Sequence, residues 1–116
     1  VSTEARVQAV ADMVEENPQN NVSVLEMARA ANLSNSRFRE LFKVLIGMSP
    51  KQFCLHVQIE KAKQLLASSE LCIHEIAERI GTPDSHYFSR IFSRKVGVSP
   101  SEYRETCLSP EGGKGS

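Results

Sequence analysis

Two sets of polar side chains carry the hydrogen-bonding capacity of this sequence. Ser36, Arg39, Glu40 and Lys43 recur at i, i+3, i+4 and i+7, the spacing of one helix face. His86, Ser89, Arg90 and Ser93 repeat that spacing 50 residues later. A guanidinium offers two parallel donors that fit the acceptor edge of guanine, so Arg39 and Arg90 could each read a base. Glu40 could accept from the amino group of cytosine. Ser36, Ser85, His86 and Ser89 could bond to bases or phosphates, whereas Arg37, Lys43 and Arg94 suit phosphate oxygens, which position a protein without specifying sequence. The plain alternative for every one of these residues is solvation.

Other chemistry finds little support. His56, His74 and His86 lie on different segments, and Cys54, Cys72 and Cys107 are odd in number with no C-x-x-C spacing. Neither a disulfide framework nor a zinc site is indicated, no cofactor or metal is expected, and catalysis is rejected. Reduced cysteines packed as small hydrophobes fit a cytoplasmic protein. No stretch approaches the roughly 18 apolar residues of a membrane span, and no secretory signal is visible. Net charge is zero over 116 residues, and 41% of the chain is hydrophobic. The charge is unevenly spread. Residues 34–47 carry Arg37, Arg39 and Lys43 against Glu40, and residues 83–97 carry Arg90, Arg94 and Lys95 against Asp84, a balance of +2 in each. Residues 1–31 balance to −3.

The elements that would position these side chains come from a duplication. Residues 38–53 and 88–103 both fit F-x-x-[LI]-F-x4-G-x-S-P-x-x-[FY]. Upstream, Met27-Ala28 with Asn32 matches Ile76-Ala77 with Gly81 at an offset of 49, which puts one extra residue in the second turn. Each copy reads as helix, tight turn, helix. Ala28 and Ala77 mark the crossings, and Asn32 and Gly81 are residue types that tolerate a left-handed backbone. Phe38, Leu41, Phe42 and Leu45 should face inward in the first copy, and Phe88, Ile91 and Phe92 in the second.

Helix 1 is expected over residues 3–16, ended by Asn17-Pro18, with Asn20 and Asn21 continuing the loop. A capping box at residues 23–26 opens helix 2, and helix 3 runs from 35 to Gly47. Ser49-Pro50 starts a long helix reaching residue 68. One stripe of that helix is Leu55, Ile59, Ala62 and Leu66, and another is Phe53, Cys54, Val57 and Leu65, so it should pack against both lobes. Helix 5 covers 73–80, Gly81-Thr82-Pro83 is the turn, Asp84 caps helix 6, and Ser99-Pro100 opens a short helix 7. The fold expected is all-α: seven helices forming two helix-turn-helix subdomains joined by a long linking helix. Its parts are a first lobe at 1–48, the linking helix at 49–68, a second lobe at 69–107 and a flexible tail at 108–116.

Glu75-Ile76-Ala77, Gly81, Asp84, Tyr87-Phe88, Arg90, Phe92, Gly97, Ser99-Pro100 and Tyr103-Arg104, with Ala62 and Leu65-Leu66, resemble the DNA-binding domain of the AraC/XylS family of bacterial transcription regulators. The resemblance covers about residues 3–106. It implies a monomeric module that binds double-stranded DNA with two recognition helices in successive major-groove segments. It also implies activation through RNA polymerase, and a separate effector-sensing or dimerisation domain that is missing from this stretch. The chain departs from the family pattern at Thr82, where an aromatic residue is preferred, at Glu40 and Gln58, where arginine is frequent, and at His86, where a small residue is frequent. Sequence-specific DNA binding is the function expected. The alternative, motivated by the neutral net charge and Glu40, is a helical protein-interaction module that has lost DNA binding.

Overall fold

The computed structural model describes residues 2–20, 22–82 and 84–108. Of the tail expected to be flexible, Leu108 ends the last helix and residues 109–116 lie outside the described residues, as do Val1, Asn21 and Pro83. Among the described residues there are seven α-helices: α1 (Thr3–Glu16), α2 (Val24–Ala30), α3 (Asn35–Ile46), α4 (Pro50–Ser68), α5 (Ile73–Arg79), α6 (Ser85–Val96) and α7 (Pro100–Leu108). A 3-10 turn at Pro18–Asn20 follows α1. No strand occurs among the described residues.

Helix starts follow local chemistry. The first amides of a helix lack carbonyl partners, and a short polar side chain just before it supplies one. Ser2, Ser34 and Asp84 accept from the amides of Ala5, Arg37 and Tyr87. Ser23 with Glu26, Ser49 with Gln52, and Ser99 with Glu102 form reciprocal capping boxes.

The chain divides into two compact units, Val1–Val57 and Gln58–Ser116, and the division falls inside α4. In the first unit, Val7, Val10, Ala11 and Val14 of α1 share a core with Met27, Ala28, Phe38, Phe42, Phe53 and Val57. Phe42 stacks tilted on Phe38 and edge-on to Phe53. In the second unit Phe92 meets Phe88 and Tyr103 edge-on, and Ile76, Ala77, Ile80, Phe88, Ile91 and Phe92 are buried. Tyr103 thus does for the second unit what Phe53 does for the first.

The repeat is longer than its sequence signature. Val7, Val10 and Val14 correspond to the buried Ile59, Ala62 and Leu66 at an offset of 52. The first half of α4 is therefore the last helix of the first repeat, and its second half is the first helix of the next. This explains the two apolar stripes: Phe53 and Val57 belong to the first unit, and Ile59, Ala62 and Leu66 to the second.

One core expectation fails. Leu45 is 41% exposed. The buried ridge of α3 runs Phe38, Phe42 and then the half-buried Ile46, at i, i+4 and i+8, which leaves Leu45 on the flank of its last turn. Leu41 is half-buried against the core.

The two turns share one geometry. Asn32 and Gly81 have positive φ, 60° and 84°. The amides of Asn32 and Leu33 bond to the carbonyls of Arg29 and Ala28, and those of Gly81 and Thr82 to Glu78 and Ala77. These are paired Schellman closures, for which a left-handed residue is required. Each leaves the preceding carbonyl unused. Arg6 Nε donates to Ala31 O at 2.9 Å, and Gln58 Nε2 donates to Ile80 O at 2.9 Å.

Gln58→Ala should cost about 1–3 kcal/mol, because it strands a buried carbonyl. Leu66→Ala should cost about 2–5 kcal/mol by opening a cavity. Urea denaturation of the two variants checks both values.

Candidate nucleic-acid interface

The outward faces of α3 and α6 carry the polar residues singled out by spacing. Ser36, Arg37, Arg39, Glu40 and Lys43 are exposed on α3, as are His86, Arg90 and Arg94 on α6. Ser85, Ser89 and Ser93 are half-buried. Ser89 occupies the helical position of Arg39, on the flank beside the core ridge, where a short side chain stays partly covered and a long one reaches water.

The first five of these residues line one open groove with Leu41, Val44 and Ser49. Their charges have no partner among the described residues. The two ion pairs among the described residues, Glu60–Lys63 and His74–Glu78, use neither helix. No hydrogen bond engages the side chains of Arg39, Glu40, Lys43, Arg90 or Arg94 among the described residues. Donors and acceptors held on a rigid helix without internal partners are available to an outside ligand. Each helix is fixed by its cap at one end and by Gly47 or Gly97 at the other, so each presents its face as a unit.

Val44 was not singled out by polar spacing, yet it is 80% exposed on α3 and lines the groove. The signal that finds it is its place under the 50-residue offset, opposite Arg94. Thr82 and Gln58, both departures from the family pattern, are buried rather than outward. Thr82 Oγ1 donates back to Ala77 O at 2.9 Å, which satisfies its hydroxyl inside the turn.

The histidines do not converge. His56, His74 and His86 are all exposed, and among the described residues no group of three or more His, Cys, Asp or Glu side chains is placed to hold a metal ion. Among the described residues no helix is long and apolar enough to cross a membrane. The cysteines are free, with Cys54 half-buried and Cys72 and Cys107 exposed. Burial pushes the Cys54 thiol up from its ordinary value. Tyr103 is likewise raised, chiefly by burial and secondarily by Cys107. Neither Tyr103 nor any of the three cysteines lies on α3 or α6.

Residues 27–106 match the family model described as a helix-turn-helix domain. The chain is 44% identical over 92 residues to the MmsAB operon regulatory protein of Pseudomonas aeruginosa, covering 77% of this chain and 30% of that protein. It is 32% identical over 98 residues to the lactose operon transcription activator of Staphylococcus xylosus, covering 84% of this chain and 35% of that protein. The chain thus spans about a third of the length of these relatives. Among solved structures, it superposes on the DNA-binding domain of AdpA, crystallised with a target DNA, with a TM-score of 0.86 and 26% identity over 91% of this chain and 97% of that one. The chain belongs to the AraC-type helix-turn-helix family.

The burial difference among the thiols gives a direct check on the packing around α4. Near pH ~8.5, the ordinary thiol pKa, a maleimide should modify Cys72 and Cys107 first. Cys54 should lag, and the lag should shrink as pH rises, because its raised pKa leaves less thiolate at the lower pH. Mass spectrometry of the labelled peptides would show it; equal rates for all three would mean that the first unit packs less tightly than described.

Proposed function

We propose that this module binds double-stranded DNA sequence-specifically for a bacterial transcription regulator, with α3 and α6 each entering a major-groove segment. The observation that carries this reading is the pair of capped helices of matched position, each presenting hydrogen-bonding side chains without internal partners. The alternative of a protein-interaction module is disfavoured by the same faces, since protein interface cores are depleted in charge.

Arg39 and Arg90 read guanine edges, and Glu40 accepts from a cytosine amino group. Ser36, Ser85, His86 and Ser89 bond to bases or phosphates, and Arg37, Lys43 and Arg94 neutralise phosphates. The mechanism contains no catalytic step and requires no cofactor. The module works in the cytoplasm as a monomer on its DNA, with effector sensing or dimerisation placed outside it, in keeping with relatives of whose length it spans about a third. Activation through contact with RNA polymerase is the regulatory outcome we favour, supported by similarity to a transcription activator.

The 50-residue offset pairs Arg39 with Ser89 and Glu40 with Arg90. The two reading faces are therefore chemically unlike, and the bound site should be two unlike elements rather than a palindrome or a direct repeat. Selection from a random DNA pool, followed by footprinting, tests this. Arg39→Ala should relax preference in one element and Arg90→Ala in the other, each costing about 1–3 kcal/mol. If both variants relaxed the same base pairs, the division of labour would be wrong.

Lys43→Ala should weaken all sequences alike. It should also flatten the log–log salt dependence of affinity by about one unit, the loss of one phosphate contact. Titrations at several salt concentrations would reveal it, and a sequence-selective loss with unchanged slope would move Lys43 to base reading.

A further inference from the structure

We infer that Val44 is a further specificity-determining residue of this module, packing against the C5 methyl group of a thymine in the major groove. The inference rests on the DNA-binding reading above and names a contact that the polar residues cannot make. Val44 has the highest exposure, 80%, of the large hydrophobic side chains on the surface. It follows Lys43 and stands one turn beyond Glu40, and it lines the same groove as Ser36 and Arg39.

Packing does not require a valine there. The corresponding position in the second unit is Arg94, which is also exposed, so the same helical framework accepts a full charge. Leu45, the neighbouring exposed apolar residue, points about 100° away around the helix and is not part of the groove. The groove's other apolar side chain, Leu41, is half-buried against the core, so Val44 is the one exposed apolar side chain of the groove, beside Glu40 and Lys43. A protein partner would need a contiguous exposed apolar patch at the centre of its interface, whereas the other exposed side chains of this groove are Ser36, Arg37, Arg39, Glu40 and Lys43. Duplex DNA supplies a matching single group: the only apolar feature on the major-groove base edges is the thymine methyl. The β-branched side chain suits this use, because one χ1 rotamer dominates in a helix and little freedom is lost on contact.

The test begins with a duplex selected from a random pool by the unmodified protein. Each thymine is then replaced in turn by deoxyuridine, which deletes the methyl and leaves every hydrogen-bonding group in place. One replacement should weaken binding about four-fold, the worth of one buried methylene-sized group (~0.8 kcal/mol). Val44→Ala, a surface change toward a better helix former, should bind the thymine and deoxyuridine duplexes equally at that position. Circular dichroism would show that its fold is intact. If no replacement matters, or if Val44→Ala retains the full sensitivity, the inference is overturned while DNA binding stands. If no duplex is retained from the pool, the DNA-binding reading itself fails and this inference falls with it.

Discussion

Both helix-turn-helix turns depend on satisfying one buried carbonyl. A Schellman closure uses the carbonyls of the last helical turn but not that of the C-cap residue. In this chain that residue is Ala31 in the first unit and Ile80 in the second, and both are fully buried. A buried carbonyl without a donor costs on the order of 1–3 kcal/mol. Arg6 and Gln58 remove that cost by reaching across from the preceding helix. The same bond ties three helices together: it holds the end of α2 or α5 against α1 or the second half of α4, at the point where the chain turns into α3 or α6. The direction in which each outward face points is set there. Arg104 acts similarly one step away, donating to the carbonyls of Leu66 and Ser69 at the end of α4.

The parts of this arrangement that local chemistry encodes are legible in the sequence. Serine and aspartate caps, the glycine ends of α3 and α6, the left-handed Asn32 and Gly81, and the paired phenylalanines all have one dominant physical reason to be where they are. The offset of 52 that relates Arg6 to Gln58 is not legible. Arginine and glutamine share only the ability to donate to a carbonyl, and the valines of α1 correspond to isoleucine, alanine and leucine. Thr82 and Gln58 look like departures from a pattern when read as letters. In three dimensions each is a polar residue satisfied inside the core. Leu45 shows the opposite limit. Its spacing is right for burial, but helical periodicity cannot say where the neighbouring helices stop covering a ridge.

The candidate site divides in the same way. Polar spacing finds the α3 and α6 faces, because hydrogen-bonding side chains of unlike type stand at i, i+3, i+4 and i+7 in both copies at an offset of 50. It cannot rank them, since reach and flank position decide exposure: Arg39 extends into water where Ser89 is half-covered. It also passes over Val44, because an apolar residue among polar ones reads as noise until its exposure is known.

The neutral net charge then takes on a specific meaning for the proposed DNA binding. Non-specific affinity grows with the number of phosphates a protein neutralises. A chain whose acidic residues balance its basic ones, with −3 over residues 1–31 and +2 on each of the α3 and α6 segments, concentrates its attraction on two helices and opposes it over residues 1–31. Glu40 sharpens this further. A carboxylate on a reading face is repelled by the phosphates of every sequence, and only a base that offers a donor opposite it offsets that repulsion. Discrimination of this kind comes from penalising wrong partners as well as rewarding the right one. On the proposed reading, a module that neutralises few phosphates and sets one carboxylate and one exposed valine on α3 gives up some affinity for all DNA and gains a larger gap between its own site and the rest.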